Sequence, residues 1–236
     1  MSAARTARER VRAELIGEIT ELARRQLGSS GAAGLSLRAI AREMGMVSSA
    51  IYRYFPSRDD LLTKLIIDGY DAIGDAVERA DAEARADAPD DFAGRWLAVC
   101  RAVREWALAH PHEYALLYGS PVPGYEAPQD TVPAALRDTV VFARIVTEAH
   151  AAGALDPAGP CPPVPPGLAE DAARARAAVG MDVPHEIVAR ALTAWCGLYG
   201  TVSFELFGQF TAVIEERAAY FHHSMTLLGR LIGLRS

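Results

Sequence analysis

Side chains able to do chemistry are scattered along this chain of 236 residues, and few stand at spacings that a reaction needs. Asp68, Asp71, Asp75 and Glu78 recur at three and four residues, which sets four carboxylates on one helix face, either to bind a hard cation or simply to be solvated. His222 and His223 are adjacent and point apart on a helix, while His110 and His112 flank a proline, so neither pair has metal-ligand spacing. Ser120, between Gly119 and Pro121, lacks the strand-turn-helix setting of a nucleophile elbow. Cys100, Cys161 and Cys196 lie far apart with no C-x-x-C pair, which argues against a disulfide framework or a thiolate zinc site and fits a reducing compartment. Cys161, in a proline-rich stretch, is the thiol to which a redox role is open. With no phosphate loop and no catalytic dyad, the expectation is a protein that is not an enzyme and has no metal and no cofactor.

A different chemistry gathers near the N-terminus. Ser48, Ser49, Ala50, Tyr52 and Arg53 are small or hydrogen-bonding side chains on a short segment whose other face carries Ile51 and Phe55. Hydroxyls, a methyl group and a guanidinium presented together are suited to reading base edges in a major groove.

Helices must position these groups. Thr6 and Glu9 form a capping-box pattern, followed by Val11, Leu15, Ile19, Leu22 and Leu27 at helical spacing up to Gly28. Ser36 can cap a helix of about eight residues with Leu37, Ile40, Ala41 and Met44 inward, stopped by Gly45. Residues 48–55 form the next short helix, ended by Pro56. Ser57 then caps a long helix whose first turn holds Asp59 and Asp60, where the helix dipole favours anions. Two short helices joined by a tight turn and buttressed by a preceding amphipathic helix are a helix-turn-helix. The same geometry also occurs as a purely structural corner.

The charge distribution agrees with a DNA-reading head. The formal net charge is −6, yet residues 1–64 hold 11 Lys and Arg against 7 Asp and Glu, whereas residues 65–236 hold 13 against 23. A basic head precedes an acidic body. Lys64 is the single lysine, so almost every cation is an arginine, the side chain that forks onto phosphate and guanine. Arg5, Arg8, Arg10 and Arg12 read either as a solvated face or as an arm on the phosphate backbone. The N-terminus has arginines and acids instead of an apolar signal. The longest uncharged run, Ala191 to Phe204, is too short for the roughly 20 residues that span a bilayer. A cytoplasmic protein without membrane contact is expected.

The stretch Leu35-Ser-Leu-Arg-Ala-Ile-Ala-Arg-Glu-Met-Gly45, followed by Ile51-Tyr-Arg-Tyr-Phe-Pro-Ser-Arg-Asp-Asp-Leu-Leu62, resembles the N-terminal domain of TetR-family transcriptional regulators over residues 10–65. The resemblance implies that Ser36 and Arg38 face DNA from the second helix. It implies that Ser48, Ser49, Ala50 and Arg53 read the groove, and that Tyr52, Tyr54 and Arg58 clamp phosphates. Val47 stands where the family places a Ser-like cap, so the recognition helix is expected to start at Ser48. Tyr54 stands where His is frequent.

After Pro89 the pattern stays helical and no β-alternation appears, so the fold class is all-α: a three-helix head over residues 1–56, then a helical bundle over residues 57–236. Prolines crowd residues 157–167, an irregular linker by composition. Trp106-x-x-x-His110-Pro111, the Tyr114 to Tyr125 segment and Ala194 to Gly200 look like a subset of TetR-family ligand-binding domains. On physical grounds Trp96, Val99, Cys100, Val103, Trp106, Tyr114, Tyr118, Phe142, Trp195 and Tyr199 are candidates to line a small-molecule pocket between helices, or else are core. Leu192, Trp195, Leu198, Val202 and Phe204, with Val213, Phe221, Met225, Leu228 and Ile232, form an uncharged face on the last two helices. That face is expected to make a homodimer through a four-helix bundle, the alternative being burial within one chain.

The function expected is therefore a ligand-responsive transcriptional regulator, a repressor that binds a near-palindromic double-stranded DNA operator as a homodimer. A small molecule of unknown identity would release it by tilting the long helix that begins at Ser57, softened at Gly69 and Gly74. The alternative is an all-helical small-molecule-binding protein or enzyme without specific DNA binding.

Overall fold

The computed structural model describes residues 2–156 and 161–235, with side chains from residue 6 onward. Among the described residues the chain forms ten α-helices: α1 (Ser2–Ser30), α2 (Leu37–Glu43), α3 (Arg58–Asp87), α4 (Phe92–Ala109), α5 (Pro111–Tyr118), α6 (Val132–Ala135), α7 (Arg137–Ala151), α8 (Pro166–Val179), α9 (His185–Leu206) and α10 (Arg217–Ile232). The only β pairing there is a lone bridge between Leu155 and Leu234. The all-α class holds. Residues 157–160 of the proline-rich linker lie outside the described residues.

The chain divides into two compact units. The first comprises residues 1–69 and 110–132. Its core is built by Ile19, Leu22 and Leu27 of α1, Leu37 and Ile40 of α2, Ile51, Phe55, and Leu61, Leu62 and Leu65 of α3, with Leu116, Val122 and Tyr125 packed against it. The helix α5 and the loop after it thus belong with the head, a grouping that local sequence pattern does not reveal. Tyr125 and Thr63 share a hydroxyl hydrogen bond of 2.9 Å, and Arg24 of α1 pairs with Asp68 of α3 and Glu113 of α5.

Helix ends follow the expected chemistry. The Ser36 hydroxyl accepts the Ala39 N–H at the start of α2, and the Ser57 hydroxyl accepts the Asp60 N–H at the start of α3. Gly45 ends α2 at φ +67°, a left-handed conformation that glycine adopts without strain. Helix α1 departs from expectation by starting at Ser2, ahead of the Thr6–Glu9 pattern, and Val11 is exposed.

The second unit comprises residues 70–109 and 133–236. Trp96, Val99, Cys100 and Val103 of α4, Phe142 and Ile145 of α7, Leu198 and Val202 of α9, and Phe221, Met225 and Ile232 of α10 make its core. Two ionic braces hold α3 to its neighbours. Arg95, 1% exposed, pairs with Asp81 at 2.8 Å and with Glu148 at 2.7 Å, and Arg144 also reaches Asp81. Burial alone would raise the Asp81 carboxyl, but the Arg95 and Arg144 hydrogen bonds hold it below the usual carboxylate range. In the other brace Arg137 of α7 grips Asp71, Asp75 and Glu78 of α3. These carboxylates are ion-pair partners as well as a partly solvated face, because the single Arg137 guanidinium draws three of them together and Asp68 pairs with Arg24 and Lys64.

Gly69 and Gly74 do not interrupt α3. A Cβ at Gly69 would stand 3.2 Å from Leu117, and one at Gly74 would stand 2.9 Å from Arg137. Close approach explains these glycines better than a soft helix does.

Candidate functional site

The turn between Gly45 and Phe55 carries the residues expected to read the groove. Its first hydrogen bond runs from the Ala50 N–H to the Val47 carbonyl, and the next ones from Arg53 to Ala50 and from Tyr54 to Ile51. The segment therefore opens at Val47, one residue earlier than expected from Ser48. It consists of turns and a single 3₁₀ turn, Ile51–Arg53, where a short helix over 48–55 was expected. The i to i+3 bonding winds the chain more tightly than an α-helix does. Ile51 and Phe55 are buried beneath it, while Ser48, Ser49, Tyr52 and Arg53 are exposed and Ala50 is half-buried. On α2, Arg38 is exposed, and with Arg42 and Ser48 it rims a shallow concavity completed by Gly45, Met46 and Val47.

Three expected DNA contacts have intramolecular partners. Ser36 is the α2 cap, and its own N–H donates to Gln26 Oε1 at 2.9 Å. The Arg58 guanidinium donates to the Ala32 carbonyl at 2.7 Å and lies 3.7 Å from Asp59. Tyr54 is half-buried beneath the Arg12 guanidinium, 5.4 Å from its ring centroid, and Arg12 also donates to the Arg53 carbonyl at 3.3 Å. Arg12, read from the sequence as a solvated face or a backbone arm, thus contacts two residues of this segment, and its hold on a carbonyl 41 residues away is a long-range contact that local spacing does not give.

The residues expected to line a pocket are divided between the two units. Tyr114 and Tyr118 belong to the first unit, with rings 5.0 Å apart. The other eight lie in the second. Trp96 stacks edge-on with Phe142 at 5.4 Å and donates its Nε1–H to the Met225 carbonyl, while Val99, Cys100 and Val103 are completely buried, as core side chains are. Burial pushes the Cys100 thiol well up.

Trp195 and Tyr199, one turn apart on α9, have rings 5.2 Å apart, and the Tyr199 hydroxyl donates to the Asp138 carboxylate at the start of α7. Asp138 is 2% exposed, and burial raises its carboxyl despite the bonds from Tyr199 and Thr139. Burial and the Asp138 charge also push up the Tyr70 phenol of α3. Asp138 escaped the sequence reading although it carried a signal, an acid in register with Val141, Phe142, Ile145 and Ala149 on the apolar face of α7.

The dimer face needs correction. Leu198, Val202, Phe221, Met225 and Ile232 are buried inside the chain's own second unit, and Leu192 and Leu228 are half-buried. Phe204 and Val213 of the expected face do stand outward, 53% and 75% exposed, and Phe207, Tyr220 and Leu227 join them at 45%, 39% and 51%. Phe204, Phe210 and Tyr220 form an aromatic chain with centroids 5.9 and 5.3 Å apart.

A helix-turn-helix with exposed groove-reading side chains, followed along the chain by a helical unit with a buried polar cluster, defines a class: the DNA-binding transcriptional regulators. Residues 19–65 match the model of bacterial regulatory proteins of the tetR family, and residues 96–228 match the tetracyclin repressor-like C-terminal domain. The HTH-type transcriptional regulators Mb1846 of Mycobacterium bovis and Rv1816 of Mycobacterium tuberculosis are each 44% identical over 209 residues, 88% of this chain and 86% of theirs. The solved structure of SCO4313 is 35% identical, with a TM-score of 0.75 over 93% of this chain and 97% of its own. The chain belongs to the TetR family; it is a transcriptional regulator and not an enzyme.

Proposed function

We propose that the protein is a repressor that binds a near-palindromic operator as a homodimer in the cytoplasm and is released by a small molecule. In this reading residues 1–56 form the DNA-binding head, to which Arg58 at the start of α3 adds a phosphate contact, and residues 57–236 bind the effector and dimerise. The observation that carries the first half is the sidedness of the reading turn, with Ile51 and Phe55 buried while Ser48, Ser49, Tyr52 and Arg53 stand exposed. Arg38, Ser48, Ser49, Ala50 and Arg53 are assigned to base edges, and Tyr52, Tyr54 and Arg58 to phosphates. Ser36 serves DNA binding through its backbone cap. The homodimer is assigned to the outward stripe Phe204, Phe207, Tyr220 and Leu227, whose clustering on the last two helices fits a self-complementary twofold contact.

Selecting bound fragments from the source genome and measuring gel shifts on them tests the reading. Tyr52→Ala with Arg58→Ala is expected to weaken binding to every fragment and to flatten the salt dependence by about one unit of slope, for the lost Arg58 charge. Ser49→Ala and Arg53→Ala are expected to change which fragments are preferred. A double variant that shifts DNA as the wild type does would refute the assignment.

A further inference from the structure

The second unit buries a carboxylate that no cation balances. Asp138 is 2% exposed, and among the described residues no Arg, Lys or His pairs with it. Its sequence neighbour Arg137 is taken up by Asp71, Asp75 and Glu78. The contrast with Asp81 in the same unit is direct, since that buried carboxylate has two arginines. Burying an anion without a counter-ion is costly, and the N-terminal turn of α7, where Asp138 sits, supplies only about half a positive charge.

A second observation meets the first on α9. Trp195, one turn before Tyr199, has its Nε1–H buried with no acceptor among the described residues. Buried donors without acceptors are rare in proteins, and one whose ring packs on the tyrosine that bonds an uncompensated carboxylate calls for a missing partner. Helices α4 and α8 each touch both α7 and α9, and the Tyr199 to Asp138 hydrogen bond spans α7 to α9 directly. Phe142 lies one turn beyond Asp138 on α7. The place therefore offers an unbalanced anion, an unused donor and aromatic walls.

We infer that Asp138, with Tyr199 and Trp195, is the polar anchor of the effector site and takes a ligand with a protonated amine on an aromatic or apolar body. The inference rests on the reading of residues 57–236 as the effector domain. The ammonium group pairs with the Asp138 carboxylate, the neighbouring rings favour a cation over their faces, and an acceptor on the ligand meets the Trp195 N–H. Burial and the Asp138 charge both raise the phenol of Tyr70 on α3, the helix that begins at Arg58, so a ligand that neutralises Asp138 would act on that helix.

The test uses the full chain, wild type, Asp138→Asn and Trp195→Phe, with charge-graded sets as probes: 2-phenylethylamine, 2-phenylethanol and phenylacetate, and tryptamine, indole-3-ethanol and indole-3-acetate. Without any probe at neutral pH, Asp138→Asn is expected to melt no lower than the wild type, because the penalty of the buried charge is gone, and Trp195→Phe no lower either. An amine is expected to raise the melting temperature and alter tryptophan fluorescence, binding about thirtyfold more weakly to Asp138→Asn. Melting of Asp138→Asn several degrees below wild type would make Asp138 a structural cap and overturn the inference. So would binding by the neutral or anionic members alone, by no amine, or with an affinity unchanged in Asp138→Asn. Gel shifts on selected fragments separate the two levels: release by a neutral or anionic probe upholds effector control and rejects the amine, whereas wild-type protein that shifts no fragment rejects the regulator reading.

Discussion

Arg12 shows how one side chain enters a site from far away in sequence. Its guanidinium covers the Tyr54 ring and its N–H holds the Arg53 carbonyl, so it fixes two residues assigned to DNA without being one of the groove-reading set. A stacked, donating guanidinium is not replaced by an ammonium. Arg12→Ala is therefore expected to weaken operator binding by about 0.5–1 kcal/mol, with Arg12→Lys restoring little of it, while the melting temperature stays put. Fluorescence anisotropy on a labelled operator against a melting curve checks this, and a variant that binds as the wild type does would relieve Arg12 of the role.

At the scale of elements, α3, α4 and α7 are tied by charge as well as by apolar packing. Asp81 is held below the ordinary carboxylate range by its arginines. Its contribution to stability is thus complete above the pKa of an unfolded aspartate and is lost as pH falls through the lower value it has in the fold. Asp81→Ala leaves Arg95, 1% exposed, with Glu148 as its remaining carboxylate partner, and is expected to cost about 3–5 kcal/mol. Urea unfolding at neutral pH measures the loss, and repeating it in acid should find the difference between variant and wild type shrinking. The caps of α2 and α3, the stop at Gly45 and the break at Pro111 were legible because each depends on residues within one turn. The 3₁₀ winding of Ile51–Arg53 was not, since apolar spacing of four residues between Ile51 and Phe55 suits an α-helix equally well.

For the whole molecule, the proposed dimer depends on which residues of α9 and α10 a second copy covers. Leu227→Glu with Phe204→Glu places charge on the outward stripe and is expected to yield folded monomers in sedimentation, with operator affinity falling along with dimerisation. Leu198→Ala, by contrast, opens a cavity in the chain's own core and is expected to cost about 2–5 kcal/mol without a specific effect on assembly. Folded dimers from the first variant would return the interface to another surface. Switching such a dimer from almost fully bound to almost fully released requires about 5.5 kcal/mol of differential ligand affinity. A buried ion pair formed on binding, as inferred at Asp138, is among the few single contacts that can supply much of it.

The amino-acid sequence determined the all-helical class, most helix boundaries, the basic head on an acidic body and the residues of the reading turn, because periodicity, capping and local charge are short-range properties. Only the tertiary structure decided that α5 packs with the head, that Arg137 grips three of the acids of α3, that Leu198 and Met225 face inward, and that Asp138 has no cation partner among the described residues. Each of those outcomes depends on which residues meet across dozens of positions, and an apolar or charged stripe carries no mark of the partner that will cover it.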